Sequence, residues 1–194
     1  MIFKYPLGIK KSFPKKTTKT IQTKTSFKNR GMGLEGELNL SNAFYNEEGM
    51  ALIQKRPTPI NVVKVDYAKG AKITQAYFEK QSTTDYNGVY RSKYLDFEAK
   101  STLSRTSLPI SNITSHQITH LKNVMKHGGI AFFIIAFETL QQTYLLPAQP
   151  FIKFIETEKR QSLPLNWIKQ NGVLINVSFK PRLHFLQAVD QLFF

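Results

Sequence analysis

The sequence contains no cysteine, so disulfides and thiolate-held metals are both excluded. Acids are scarce. Asp and Glu number 13 against 27 Lys and Arg, a formal charge of +14 with a pI near 9.9. Long apolar runs are lacking too: the longest, Ile130–Phe137, suits a buried strand and falls far short of the roughly 18 residues a membrane span needs. The start, Met1-Ile2-Phe3-Lys4-Tyr5-Pro6, has no signal-peptide core. A cytoplasmic protein with no membrane partner is therefore expected. What is present can build a real core, since 41% of the 194 residues are hydrophobic and 15 are Phe. One domain with a tail fits that length. So strong a positive field points to a polyanion such as DNA, RNA or an anionic surface.

Residues 1–30 are dense in Lys and Arg and hold no acid; the first in the chain is Glu35. Ser and Thr fill the gaps, and little apolar surface is available to offset the entropy of ordering. A disordered basic DNA-binding arm is expected over 1–30, ahead of a domain over 31–194. In that domain the periodicity predicts a helix over 34–45, ended near Gly49, then strands over 50–55 and 60–66 around Pro57-Thr58-Pro59. Residues 67–82 mix Lys69, Lys72 and Lys80 with Tyr67, Tyr77 and Phe78. They fit an exposed projection that touches nucleic acid, or equally an amphipathic packing segment. Further on, the pattern predicts a helix over 115–126 stopped by Gly128-Gly129, a central strand over 130–137 and a strand over 143–146. Helices near 151–158 and within 181–194 complete a mixed α/β domain.

The most informative stretch is Tyr94-Leu95-Asp96-Phe97-Glu98-Ala99-Lys100. On a strand, Asp96, Glu98 and Lys100 share one face while Leu95, Phe97 and Ala99 share the other. Residues 83–90 and 94–100 form a candidate hairpin. With Arg91-Ser92 as its loop, Asp85 lies opposite Glu98 and Thr83 opposite Lys100, at about 5 Å between facing Cβ atoms. Two carboxylates that close repel by about 3 kcal/mol at an effective dielectric near 20. A hard divalent cation removes that penalty, and a lysine beside it can meet a phosphate. A solvated strand face is the bland alternative. The residues alone leave open a metal-dependent nuclease and a non-catalytic nucleic-acid-binding protein.

Two other motifs lead nowhere. Gly31-Met32-Gly33-Leu34-Glu35-Gly36 has the spacing of a dinucleotide fingerprint, but a basic tail precedes it instead of a strand. His116-Gln117-Ile118-Thr119-His120 has the spacing of a zinc-protease helix, but Gln117 stands where the general base is needed.

The chain resembles the RecU-type Holliday junction resolvases of low-GC Gram-positive bacteria. The likeness runs from Asn29 to the C-terminus. It rests above all on Ser82-Thr83-Thr84-Asp85-Tyr86-Asn87-Gly88 and Asp96-Phe97-Glu98-Ala99-Lys100, with Lys55-Arg56-Pro57-Thr58-Pro59-Ile60, Tyr77-Phe78 and His116-Gln117. The resemblance implies a restriction-endonuclease-like core of the PD-(D/E)xK nuclease type, with a central mixed sheet flanked by helices and a projecting stalk at about 67–82. It implies a homodimer that resolves four-way junction DNA in recombination and repair, with other recombination proteins as potential partners. By the same likeness Thr83, Asp85, Glu98 and Gln117 surround Mg²⁺, for which Mn²⁺ can substitute. Catalysis then falls to Asp85, Glu98 and Lys100, with Lys100 stabilising the transition state and Glu35 as a candidate additional acid. Lys28, Arg30, Lys72, Tyr77, Phe78 and Lys80 are the expected DNA contacts. A nuclease of the same fold that cuts plain duplex is the neighbouring alternative.

Overall fold

Residues 130–137, apolar at every position, form β7 (Ile130–Phe137), buried along its whole length at the centre of a six-stranded sheet. The structure is a computed structural model that describes residues 33–68, 70–79 and 83–194. The expected basic arm, with Lys28 and Arg30, lies outside the described residues, as does Lys80.

The sheet runs β1 (Leu52–Lys55), β4 (Tyr86–Tyr90), β5 (Lys93–Thr102), β7, β8 (Gln142–Pro147) and β10 (Val173–Leu174) in spatial order. Among the described residues its neighbours pair antiparallel except β5 and β7, which run parallel. A parallel pair needs a crossover. Here it carries the short strand β6 (Ser107–Pro109) and the helix α2 (Ser115–Lys126).

β7 shows why the domain has two apolar layers. Phe132, Ile134 and Ala136 enter one core with residues of α1 (Leu34–Glu47) and α5 (Phe185–Phe193). Ala131, Phe133, Ile135 and Phe137 enter the other, with α2 and α3 (Ala148–Thr157). A strand covered on both faces reads as a continuous apolar run. β5 instead divides its faces. Leu95 and Phe97 join the first core, while Asp96 and Glu98 turn toward α2, although both are fully buried.

The hairpin has the register expected from an Arg91-Ser92 loop: Tyr90 pairs with Lys93 and Tyr86 with Phe97. Both loop residues adopt positive φ, 48° and 62°, a conformation usually taken by Asn or Gly in two-residue hairpins. Distant contacts hold it. Arg91 bonds Asp190 at 2.9 Å and stacks over Phe194, and Tyr90 hydrogen-bonds Asp190 as well. Ordered strand begins at Tyr86, not at Thr83 as expected.

β2 (Ile60–Asp66) and β3 (Lys72–Phe78) pair with each other in a separate two-stranded ribbon, nearly all of it exposed. The projection is thus wider than residues 67–82: the strand over 60–66 is half of it. Four elements escaped the periodicity: β6, its partner β9 (Ser162–Pro164), α4 (Leu165–Asn171) and β10. β6 and β9 are three residues long and each ends in proline, too short to show a period of two. Among the described residues no helix is long and apolar enough to cross a membrane.

Candidate active site

Glu98 is the hub. It sits mid-strand on β5 and is 0% exposed. Its Oε1 accepts hydrogen bonds from Gln117 Nε2 and Lys100 Nζ, each at 2.6 Å. Its Oε2 accepts the backbone N–H of Asp85 at 3.2 Å. Asp85 replies with its own carboxylate, whose Oδ2 accepts the Ala99 N–H at 3.3 Å. Asp85, Glu98, Lys100 and Gln117 are therefore gathered at one place from the entry to β4, the middle of β5 and the first turn of α2.

Each is positioned by local structure. Lys100 follows Glu98 by two residues on an extended strand, so both point to the same side. Gln117 is the third residue of α2, where its Oε1 accepts the Thr114 N–H at 3.0 Å. That half of a capping box fixes the amide: the oxygen is turned to the Thr114 donor, so the NH₂ faces Glu98.

Burial, and after it the negative charge of Asp85, pushes the Glu98 carboxyl up to about 7 against the pull of the Lys100 ammonium. A carboxyl that loses its proton this reluctantly gains most from a cation.

Two depressions lie in this region, the first of them lined by Asp85 of the cluster. One, of about 430 Å³, is lined by Glu35, Lys55, Asp85, Ser101 and Glu138 among others. Glu35 is ion-paired with Lys55 there, so the structure brings this candidate acid to the same cleft as Asp85. The other, of about 510 Å³, is a polar groove along α2 lined by Thr83, His116, Thr119, His120 and Asn123. Thr83 thus opens on the groove side. The two histidines do not form a zinc pair: His116 bonds Thr114 Oγ1 and His120 bonds Asp96. Lys72, Tyr77 and Phe78 all lie on β3 of the ribbon, with Tyr77 and Phe78 strongly exposed.

The sequence shows Asp96 only as a face-mate of Glu98 and gives Arg56 no role. In the structure they are salt-bridged at 2.6 Å, and Thr84, Tyr94 and His120 also bond the Asp96 carboxylate. Burial alone would raise that carboxyl; the hydrogen bonds from Arg56, Thr84 and His120 outweigh it and hold it below the usual value. The available signal was the unbroken run Lys55-Arg56-Pro57, a charge set directly before a rigid break.

Two carboxylates and a lysine, with an amide from α2, define a site suited to a hard cation and a phosphate. Comparison with known proteins identifies the lineage. The family model described as Recombination protein U matches residues 29–191, and the chain belongs to that family. A relative named Holliday junction resolvase RecU from Geobacillus sp. (strain WCH70) is 46% identical, over 100% of this chain and 99% of that protein. Another of that name, from Pediococcus pentosaceus, is 45% identical over 99% of this chain and 98% of its own length. A solved structure of Archaeoglobus fulgidus Hjc, titled a Holliday junction resolvase from an archaeal hyperthermophile, covers 70% of this chain and 93% of its own, with 11% identity and a TM-score of 0.39.

Proposed function

We propose that this protein is a divalent-metal-dependent endonuclease that resolves four-way DNA junctions by symmetric phosphodiester hydrolysis, in cytoplasmic recombination and repair. The observation that carries the chemistry is the convergence of Asp85, Glu98 and Lys100 in an otherwise basic protein. Membership of the family and relatives named as resolvases carry the substrate.

The donor set fits a hard cation. Its atoms are carboxylate and hydroxyl oxygens, with no thiolate in the chain. Among the described residues no group of three or more acids and histidines could hold a metal alone. The resemblance implies Mg²⁺, which keeps waters and phosphate oxygens in its shell. Asp85 and Glu98 are the residues that would hold it, with Thr83 as an auxiliary oxygen. When bound, the ion supplies positive charge against the scissile phosphate and lowers the pKa of a nearby water.

The rest falls to side chains. Gln117 holds Glu98 Oε1 and, with its own oxygen turned to Thr114, acts by orienting that carboxylate. Lys100 stands on the same oxygen with its side chain partly open to solvent, where it would offset the charge that develops as the phosphate is attacked. Glu35 lies with Asp85 in the adjoining cleft as a further acid. The exposed Lys72, Tyr77 and Phe78 of the ribbon suit a junction centre, where unstacked bases meet aromatic faces and phosphates meet amines. The basic arm would add affinity without sequence preference. A homodimer would present two equal sites to two opposed strands. Side-by-side cleavage of a four-way junction and a linear duplex of the same sequence in Mg²⁺ tests the reading. Preferential junction cutting supports it, and equal cutting favours a plain duplex endonuclease.

A further inference from the structure

Arg56 joins the segment that carries Asp85 to the neighbouring strand β5. Its backbone N–H donates to the Asp85 carbonyl at 2.8 Å. Its Nη1 donates to the Thr84 carbonyl at 3.2 Å and to Thr84 Oγ1 at 2.6 Å. Its Nη2 donates to Asp96 Oδ2 at 2.6 Å and to the Tyr94 hydroxyl at 2.8 Å. Asp96 is fully buried, with His120 Nε2 and the Tyr94 hydroxyl each 2.9 Å from the same Oδ2. A planar guanidinium on a fixed carboxylate leaves little freedom to the groups it bridges.

Asp85 precedes the first residue of β4, so the paired ladder proper stops short of it. Directly after Arg56 come Pro57, Thr58 and Pro59, and then β2 begins at Ile60. Two prolines with fixed φ make that link stiff. The return strand closes on it, since the Glu79 N–H donates to the Pro59 carbonyl at 3.0 Å.

We propose that Arg56, clamped on Asp96, is a positioning residue that holds Asp85 in place beside Glu98 and ties that placement to the base of the β2–β3 ribbon. This rests on the metal-site reading above. Placement of the ribbon in a junction then bears on the same residue that seats a metal-binding carboxylate, which links DNA shape to completion of the site.

The test uses the full chain and two independent readouts, Mn²⁺ affinity without DNA and the Mg²⁺ concentration for half-maximal junction cleavage. Arg56→Gln should weaken Mn²⁺ binding about tenfold and raise the Mg²⁺ requirement to match, as loss of a residue supporting a metal ligand does. Junction binding without metal should stay at the wild-type level. Arg56→Lys keeps a positive charge against Asp96 but cannot span Thr84 and Asp96 with one planar fork. It should move both readouts in the same direction by a smaller factor, and it serves if the glutamine variant does not fold. Unchanged Mn²⁺ affinity in a folded Arg56 variant overturns the proposal. A wild-type protein that binds Mn²⁺ yet cuts no junction removes the nuclease reading, and a weakened affinity in the Arg56 variants still supports this one.

Discussion

The backbone N–H of Asp85 donates to Glu98 Oε2, and the Asp85 carboxylate accepts the N–H of the residue after Glu98. The two acids are thus tied through main chain while their charges oppose each other. The arrangement is costly without a cation, and its cost should be measurable.

Metal-free stability should fall as pH rises from about 4.5 to about 7. The Glu98 carboxyl has its folded value raised to about 7 from an ordinary 4.5, so the proton is held more tightly in the folded state. The stabilising effect of that proton is complete below the unfolded value and lost as pH climbs through the folded one. At about 1.4 kcal/mol per pKa unit, the loss is of order 3 kcal/mol. Asp96, shifted down, acts only in more acid solution, outside this window. Added Mg²⁺ or Mn²⁺ should therefore raise Tm more at pH 8 than at pH 6. Glu98→Gln should flatten the metal-free slope and abolish the metal increment. A metal effect independent of pH would contradict the assignment of Glu98.

Gly88→Ala should be strongly destabilising. A Cβ at Gly88 would lie 2.3 Å from the Leu52 carbonyl oxygen and 2.8 Å from Ile53 Cα, both backbone atoms of or beside the paired strand β1. The strands would have to part, at a cost of about 1–3 kcal/mol or more. Because Lys55 and Arg56 continue from β1, cleavage should fall further than junction binding. Urea unfolding curves for the two proteins give the first number, and an unchanged midpoint would contradict the close approach.

How much was legible in the sequence depends on the range of the forces involved. The facing of Asp96, Glu98 and Lys100 follows from the period of a strand, and the pairing of Asp85 with Glu98 from a two-residue loop. What holds that loop, Arg91 against Asp190 and Phe194, comes from about a hundred residues away and has no local signature. Asp96 was visible as a face-mate of Glu98. Its partners Arg56, Thr84 and His120 converge from three other segments, so its role emerged only in three dimensions. The ribbon was half legible. Tyr77 and Phe78 marked an exposed segment and 60–66 was legible as a strand, but nothing local showed that the two pair with each other in an exposed ribbon.

Tyr77→Ala and Phe78→Ala should leave Tm nearly unchanged, because the side chains are 60% and 83% exposed. Their effect should appear in substrate choice. Loss of an aromatic platform costs about 1–3 kcal/mol per stacked base, so junction affinity should drop about tenfold or more while duplex affinity holds. Equal losses on junction and duplex in gel-shift titrations would contradict a role in shape selection.

The central claim is that Asp85 and Glu98 form a metal-dependent cutting site separate from the surfaces that bind DNA. The most direct measurement is single-turnover cleavage of a labelled four-way junction in Mg²⁺ by the wild-type protein and Asp85→Asn, with junction binding measured in parallel without metal. Wild type should make paired symmetric cuts. Asp85→Asn should bind as tightly and cut at least about a hundredfold more slowly. Normal cutting by Asp85→Asn, or loss of cutting only in proportion to lost binding, would contradict the account.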